Sequence, residues 1–144
     1  MKVVYAETSA VLRWLLGEKA LPKLGAVMSS ANKVVTSSLT ALEANRGILR
    51  AERQQRVTSA ASTSLKELLA RTTAQWDLLE ITPGIRIRAG EPFPVEPVRT
   101  LDAIHLATAL QFARVFPGLP VLTYDERILA NLEPLGLMNA IMRS

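Results

Sequence analysis

Four acidic side chains of this chain are placed where they could share one metal site. Glu7 and Asp125 each follow a short β-rich run, Glu43 lies in the first turns of a predicted helix, and Asp102 begins a helix that is apolar on nearly every side. A buried acid is costly unless something pairs with it. Mg²⁺ prefers oxygen ligands and takes a few carboxylates together with waters and phosphate oxygens. The acids therefore predict a site where one or two divalent ions activate water against a phosphodiester.

Each acid also has a simpler structural explanation. Asp125 after a strand is a good helix N-cap. Glu43 complements a helix dipole and can close a capping box with Thr40. Asp102 also fits a helix start, and Glu7 could pair with an arginine. The metal-site prediction therefore depends on all four acids lying at the same end of one sheet.

The elements that would position these acids alternate between strands and helices along the whole chain. We predict strands over residues 2–6, 33–36, 78–81, 120–124 and 137–141. Between and after them we predict helices over residues 10–16, 19–30, 39–53, 56–75, a short one from 82, 100–116 and 125–135. This alternation predicts an α/β fold, a three-layer α/β/α arrangement with a central, mostly parallel sheet of four to five strands. We expect one domain over residues 1–144, with function at the carboxyl ends of its strands.

Composition excludes several other chemistries. The chain has no cysteine and one histidine, which argues against thiolate and zinc sites. It carries no glycine-rich phosphate loop, no recognisable Ser/His/Asp arrangement and no apolar run long enough for a membrane span. A formal charge of +4 favours an anionic partner, although no dense basic block is present. We expect a cytoplasmic protein that does not contact a membrane.

Four segments, in the right order, resemble one known family. They are YAETSA at residues 5–10, SLTALEANR at 38–46, LDAIHLATA at 101–109 and LTYD at 122–125. Together they resemble a PIN domain, and within that family they are most similar to the VapC-type toxins of bacterial toxin–antitoxin pairs. The LDAIH block is the most specific part of the resemblance, which spans nearly the whole chain.

The resemblance implies an endoribonuclease that depends on Mg²⁺ or Mn²⁺ and cuts structured RNA such as tRNA or rRNA. It also implies a homodimer and inhibition by a cognate, VapB-like antitoxin, an arginine of which often reaches into the acidic site. Position by position, the metal-binding acids of the family match Glu43, Asp102 and Asp125. The hydroxyl positions that support the site match Thr8 or Ser9, and Thr123. A basic residue near the site matches Arg46.

Glu7 departs from the family pattern, which has Asp at this position. Glu keeps the charge and the oxygen ligands, but its carboxylate lies one methylene further from the backbone. Because Mg²⁺ demands near-ideal octahedral geometry, we expect weaker metal binding or catalysis with the fold and antitoxin binding intact. The alternative function is then a catalytically inactive PIN domain that acts as a binding module. A receiver-like signalling domain fits less well, since no acid follows the third predicted strand at Thr82 and no lysine lies beyond Lys66.

A few other residues near these motifs have two explanations each. His105, one turn after Asp102, is a proton carrier or, by the commoner pattern, a buried and hydrogen-bonded histidine. Trp14 and Leu15 belong to the core or to a groove for an antitoxin helix. Three arginines either contact RNA phosphates or form a solvated face; they are Arg86, Arg88 and Arg99.

Overall fold

A parallel five-stranded sheet is the centre of the computed structural model, which describes residues 1–17 and 21–141. Its strands are β1 (Val3–Ala6), β2 (Lys33–Ser37), β3 (Asp77–Leu79), β4 (Pro120–Leu122) and β5 (Met138–Asn139). They lie in the order β3-β2-β1-β4-β5, and every neighbouring pair is parallel. The helices are α1 (Thr8–Leu15), α2 (Pro22–Ser30), α3 (Ser38–Arg53), α4 (Ser59–Thr73), α5 (Pro83–Ala89), α6 (Thr100–Ala113) and α7 (Glu126–Leu132), and a 3-10 turn follows over Glu133–Leu135.

The alternation of side chains along β1 shows how the sheet separates two helical layers. Val3 and Tyr5 point into a core shared with α6 and α7. Val4 and Ala6 point the other way, into a core shared with α1, α2, α3 and α4. Successive strand residues face opposite sides of a sheet, so β1 is covered on both faces. The predicted three-layer α/β/α class is confirmed.

The helices begin and end a few residues away from some of the predicted bounds, and one of these differences follows from a local cap. The Thr58 hydroxyl accepts from the Ala61 amide at 3.0 Å, so α4 begins at Ser59 rather than near residue 56. α6 ends at Ala113, which leaves Val115 outside it and 71% exposed. α2 has Pro22 in its first turn, and its predicted start at Lys19 lies outside the described residues. Across residues 1–17 and 21–141, no helix is both long and apolar enough to span a membrane.

The order of the strands makes β1 and β4 the place where the direction of the connections reverses. After β1 the chain moves outward to β2 and β3, and it then returns to the other side of β1 to form β4. A crevice opens at the carboxyl ends of two such strands. Helices α1 and α3 pack closely against each other where Gly47 of α3 faces Leu12 of α1. A Cβ at Gly47 would lie only 2.6 Å from both methyl carbons of Leu12, so the missing side chain allows this approach. The fold therefore directs the ends of β1 and β4 and the starts of α1 and α3 toward one edge.

Candidate active site

Glu7 lies buried at the end of β1 and is hydrogen-bonded to two of the three hydroxyl side chains that the sequence singled out. Its backbone amide donates to the Leu122 carbonyl at 3.0 Å, which continues the pairing of β1 with β4. Its Oε1 accepts from Ser9 Oγ and from Thr123 Oγ1, both at 2.5 Å. Its side chain is only 7% exposed. Within the described residues no arginine pairs with it, so the arginine explanation for Glu7 is wrong there.

A second set of contacts joins Glu43 to His105. Glu43 Oε1 accepts from Thr8 Oγ1 at 2.6 Å and lies 2.7 Å from His105 Nε2. The other ring nitrogen, His105 Nδ1, lies 2.9 Å from the Tyr5 hydroxyl. The same Nε2 is 3.9 Å from Glu7 Oε2, which brings the ring to the edge of the first cluster. A hydrogen-bonded chain therefore runs from Tyr5 in the core through His105 to Glu43.

The protonation of this chain follows from burial and hydrogen bonding. Burial alone would raise the pKa of Glu43, but the hydrogen bonds from His105 and Thr8, with the charge of His105, outweigh it and lower that pKa. Burial raises the pKa of Tyr5 far above its ordinary value, so its hydroxyl stays neutral. His105 Nε2 donates its hydrogen to the Glu43 carboxylate, and Nδ1 lies within hydrogen-bonding distance of the neutral Tyr5 hydroxyl.

Asp102 and Asp125 are joined by an arginine rather than by a histidine. Arg99 Nε donates to Asp102 Oδ2 at 3.2 Å, and Arg99 Nη2 donates to Asp125 Oδ2 at 3.4 Å. The two carboxylates are 7% and 20% exposed, whereas the arginine side chain is 63% exposed. The prediction that Arg99 belongs to a solvated face or contacts phosphate missed its position between two acids. The (i, i+3) spacing of Arg99 and Asp102 at a helix start was the signal that could have shown it.

The capping explanations hold for two acids and fail for a third. Asp125 Oδ1 accepts from the amides of Arg127 and Ile128, so Asp125 caps α7 with one oxygen and meets Arg99 with the other. Asp102 Oδ2 also accepts from the Arg99 amide in a capping box. For α3, the N-cap is Ser37, whose hydroxyl accepts from Leu39. The predicted capping box between Thr40 and Glu43 is wrong, because Thr40 instead bonds Thr36 at 2.7 Å.

Three of the four acids keep one carboxylate oxygen without a hydrogen-bond donor in the described chain. These oxygens are Glu7 Oε2, Glu43 Oε2 and Asp102 Oδ1. Among residues 1–17 and 21–141, no three His, Asp or Glu side chains are grouped so that they could hold a metal ion as they stand. Mg²⁺ is commonly held by only one or two carboxylates, with waters and phosphate oxygens completing its shell. The chemistry of the donor set therefore fits such an ion without a preassembled cage.

The other residues that the sequence singled out differ in whether they contact the acids of the site. His105 is buried and hydrogen-bonded as expected, and it also contacts an acid of the site. Arg46 is exposed on α3, one turn after Glu43, and has no bonding partner in the described residues. Leu15 lies in the core, and Trp14 packs beside Trp76 with ring centroids 6.4 Å apart. The contribution of Tyr5 was missed, because its position in a β-rich run gave only the signal of a core residue.

Comparison with known proteins gives concordant results. A family model described as the PIN domain matches residues 4–133. Ribonuclease VapC35 of Mycobacterium tuberculosis is 32% identical over 137 residues, which cover 94% of this chain and 93% of that protein. Ribonuclease VapC46 of the same species is 29% identical over 137 residues, or 95% of each chain. A chain from a solved toxin-antitoxin complex from Klebsiella pneumoniae shares the fold, with a TM-score of 0.65, 17% identity, and coverage of 95% and 97% of the two chains.

Proposed function

The chain belongs to the PIN domain family, and we propose that it is a divalent-metal-dependent endoribonuclease, the toxin of a toxin–antitoxin pair. One observation carries this proposal: Glu7, Glu43, Asp102 and Asp125 lie on the elements that meet at the carboxyl ends of β1 and β4. Three of them keep a carboxylate oxygen free of donors within the described chain. The similarity to two ribonucleases supports RNA as the substrate.

In this proposal the four acids hold Mg²⁺ or Mn²⁺ with the help of the hydroxyls around them. When bound, the ion neutralises the clustered carboxylates and supplies the Lewis acidity for attack of water on a phosphodiester. Thr123 and Ser9 fix one oxygen of Glu7 and so aim the other. His105 and Thr8 hold Glu43 ionised and in one orientation. These contacts would preorganise the ligands, which is the condition for electrostatic catalysis.

An RNA cleavage assay with the isosteric Asp102→Asn variant tests the enzyme directly. We expect the variant to lose at least about a hundredfold in rate, or ~2.7 kcal/mol of transition-state stabilisation, because it removes a charged metal ligand. The matched control is Asp77→Asn, the same chemical change at an acid on β3 that pairs with Lys33 on the surface. We expect the control to cleave like the parent. An Asp102→Asn protein that stays folded and cleaves as well as the parent would overturn the proposed mechanism.

A binding module without catalysis is the second candidate, and Glu7 is the observation that favours it. Its longer side chain carries Oε1 onto the two hydroxyls of Ser9 and Thr123 instead of leaving both oxygens open. Calorimetric titration with Mn²⁺ separates the two functions. Saturable binding that Asp102→Asn weakens supports the enzyme, whereas the absence of saturable binding by the parent favours the module.

The arginine between Asp102 and Asp125 supports an antitoxin as a partner. The two carboxylates accept a guanidinium from their own chain at 3.2 and 3.4 Å. An antitoxin arginine would meet the same acceptors, so a VapB-like inhibitor fits this half of the site. A short neighbouring reading frame that encodes a protein with a DNA-binding fold would identify the candidate antitoxin. Co-expression should then suppress RNA cleavage, and a complex that leaves cleavage unchanged would count against this pairing.

Two finer features of the proposal need their own measurements. We propose structured RNA, tRNA or rRNA, as the substrate, and sequencing of RNA ends after induced expression should show cuts at defined positions in one of them. We also propose a homodimer, which light scattering would report as a mass of about twice the 15.7 kDa of one chain. Scattered cuts in messenger RNA would contradict the first proposal, and a monomeric mass the second.

A further inference from the structure

An exposed row of arginines leaves the candidate active site along helix α3. Arg46, Arg50 and Arg53 follow Glu43 at intervals of three, four and three residues, which places all four on one face of the helix. Together with Leu49 and Gln54, the three arginines line a shallow depression of about 550 Å³. At 1.5 Å per residue the row from Glu43 to Arg53 is about 15 Å long. We call Arg46, Arg50 and Arg53 the arginine row.

The arginine row has no acidic partners in the described chain. Within residues 1–17 and 21–141, Lys33 pairs with Asp77 and Arg99 pairs with two acids, but no ion pair or hydrogen bond involves a side chain of the row. Glu52, the other acid of α3, is half-buried and lies about 100° around the helix from Arg53. The row is therefore a continuous strip of positive charge that faces solvent.

A contribution to helix stability explains only two of the three arginines in this row. Arg50 and Arg53 are in the last turn of α3, where positive charge complements the helix dipole. Arg46 lies in the middle of the helix, where that effect has faded. Burial does not explain the three residues either, because all of them are exposed. A ligand with repeated negative charges would explain the whole row.

We propose that the arginine row is a docking track for the phosphate backbone of an RNA strand that runs through the active site. The inference rests on the proposed function and adds a surface to it. Three features favour a phosphate backbone: the repeated guanidinium groups, the uncompensated charge and the direct continuity with Glu43. Guanidinium groups recognise phosphate through paired N–H donors. The track would hold the strand on one side of the cut without reading its bases.

The test compares RNA binding by the parent with binding by Arg46→Ala/Arg50→Ala/Arg53→Ala. The probe is fluorescein-labelled poly(U), titrated in EDTA so that binding is measured without cleavage. Three phosphate contacts on a single strand account for about 2 units of the slope of log K against log salt concentration. Raising the salt from about 50 to about 200 mM should therefore weaken binding by the parent about 20-fold more than binding by the variant.

Two matched variants separate the arginine row from general charge. Lys2→Ala/Lys23→Ala/Arg114→Ala also removes three exposed positive charges, none of them on α3, and should keep the affinity and the salt slope of the parent. Arg46→Lys/Arg50→Lys/Arg53→Lys keeps the charge and should keep most of the slope. Equal slopes for the parent and the alanine variant of the row would overturn the proposal.

Three further measurements exclude other occupants of the arginine row and separate this inference from the proposed enzyme activity. If poly-L-glutamate loses affinity in the alanine variant while poly(U) does not, the row serves an acidic protein and the proposal is wrong. The proposal is also wrong if the variant changes only the oligomeric mass in light scattering. Cleavage with Mn²⁺ is scored separately. If the parent cuts RNA but its binding of poly(U) does not depend on the arginine row, the docking track is wrong and the proposed enzyme stands. If binding depends on the row but no RNA is cut, the docking track is supported and the proposed enzyme is contradicted.

Discussion

The two halves of the candidate site neutralise their acids in opposite ways. The histidine half consists of Tyr5, Glu7, Thr8, Glu43 and His105, and the arginine half consists of Arg99, Asp102 and Asp125. In the first, hydroxyls and an imidazole that is 2% exposed surround the carboxylates. In the second, a guanidinium that is 63% exposed reaches the carboxylates from solvent.

The difference shows which part of the site is fixed by the fold and which part can change partners. The contacts of His105 are anchored by Tyr5, a fully buried residue of the central strand. Rearranging them requires moving the core, which is close-packed. Arg99 can leave its acids by rotating its own side chain into water, at little cost to the fold. We therefore expect replacement of His105 to alter stability, and replacement of Arg99 to alter ion binding.

The largest expected effect is on stability, from His105→Ala. The change leaves a cavity and removes one hydrogen-bond partner from the Tyr5 hydroxyl and one from Glu43 Oε1, which keeps Thr8. Cavity and lost hydrogen bonds together should lower the free energy of unfolding by about 3 kcal/mol. Urea denaturation in EDTA measures it. Arg99→Ala, measured alongside, should cost clearly less, and equal losses for the two variants would remove the distinction between the halves.

The second effect concerns the departure at Glu7. Glu7→Asp shortens the side chain by one methylene and withdraws Oε1 from the Ser9 and Thr123 hydroxyls. A displacement of about 1 Å at a reacting group changes rates on the order of a hundredfold, and we expect Glu7→Asp to raise RNA cleavage by about that factor. Initial rates with Mn²⁺ measure the change.

The control for this prediction is the same shortening at an acid that matches the family pattern. Glu43→Asp should pull the carboxylate away from Thr8 and His105 and lower the cleavage rate. If both shortened variants lose activity, Glu7 is already adapted to this site, and its extra methylene is not the cause of any weakness.

The layers of the fold could be predicted from the sequence because their signals are local. Alternating short β-rich runs and helical segments predicted the parallel sheet and both helical layers. The ends of the helices were harder to predict from the sequence, since they depend on single capping residues such as Thr58 or Ser37. The sequence also placed Val115 inside the apolar helix, whereas α6 ends before it.

The site was predicted as a set of acids and hydroxyls, but not as two halves. Pairings such as Tyr5 with His105 join residues 100 positions apart, and no periodicity reports a contact at that separation. The same holds for Thr123 with Glu7, which meet only because β1 and β4 are neighbours. Arg99 was misjudged for a different reason. Its type and exposure are those of an ordinary surface residue, and only the position of Asp125 across the crevice gives it a second partner.

The smallest expected effect tests the arginine half through ion binding. Arg99 occupies Oδ2 of both Asp102 and Asp125, so a divalent ion that uses these carboxylates must compete with the guanidinium. Arg99→Ala should therefore bind Mn²⁺ several-fold more tightly in calorimetry, and the gain stays small because solvent and salt already screen the exposed guanidinium. Arg114→Ala, which removes an exposed arginine beyond the far end of α6, should leave Mn²⁺ affinity unchanged. Weaker Mn²⁺ binding by Arg99→Ala would mean that Arg99 aligns the two carboxylates for the ion instead of competing with it, and the arginine half would then be as preorganised as the histidine half.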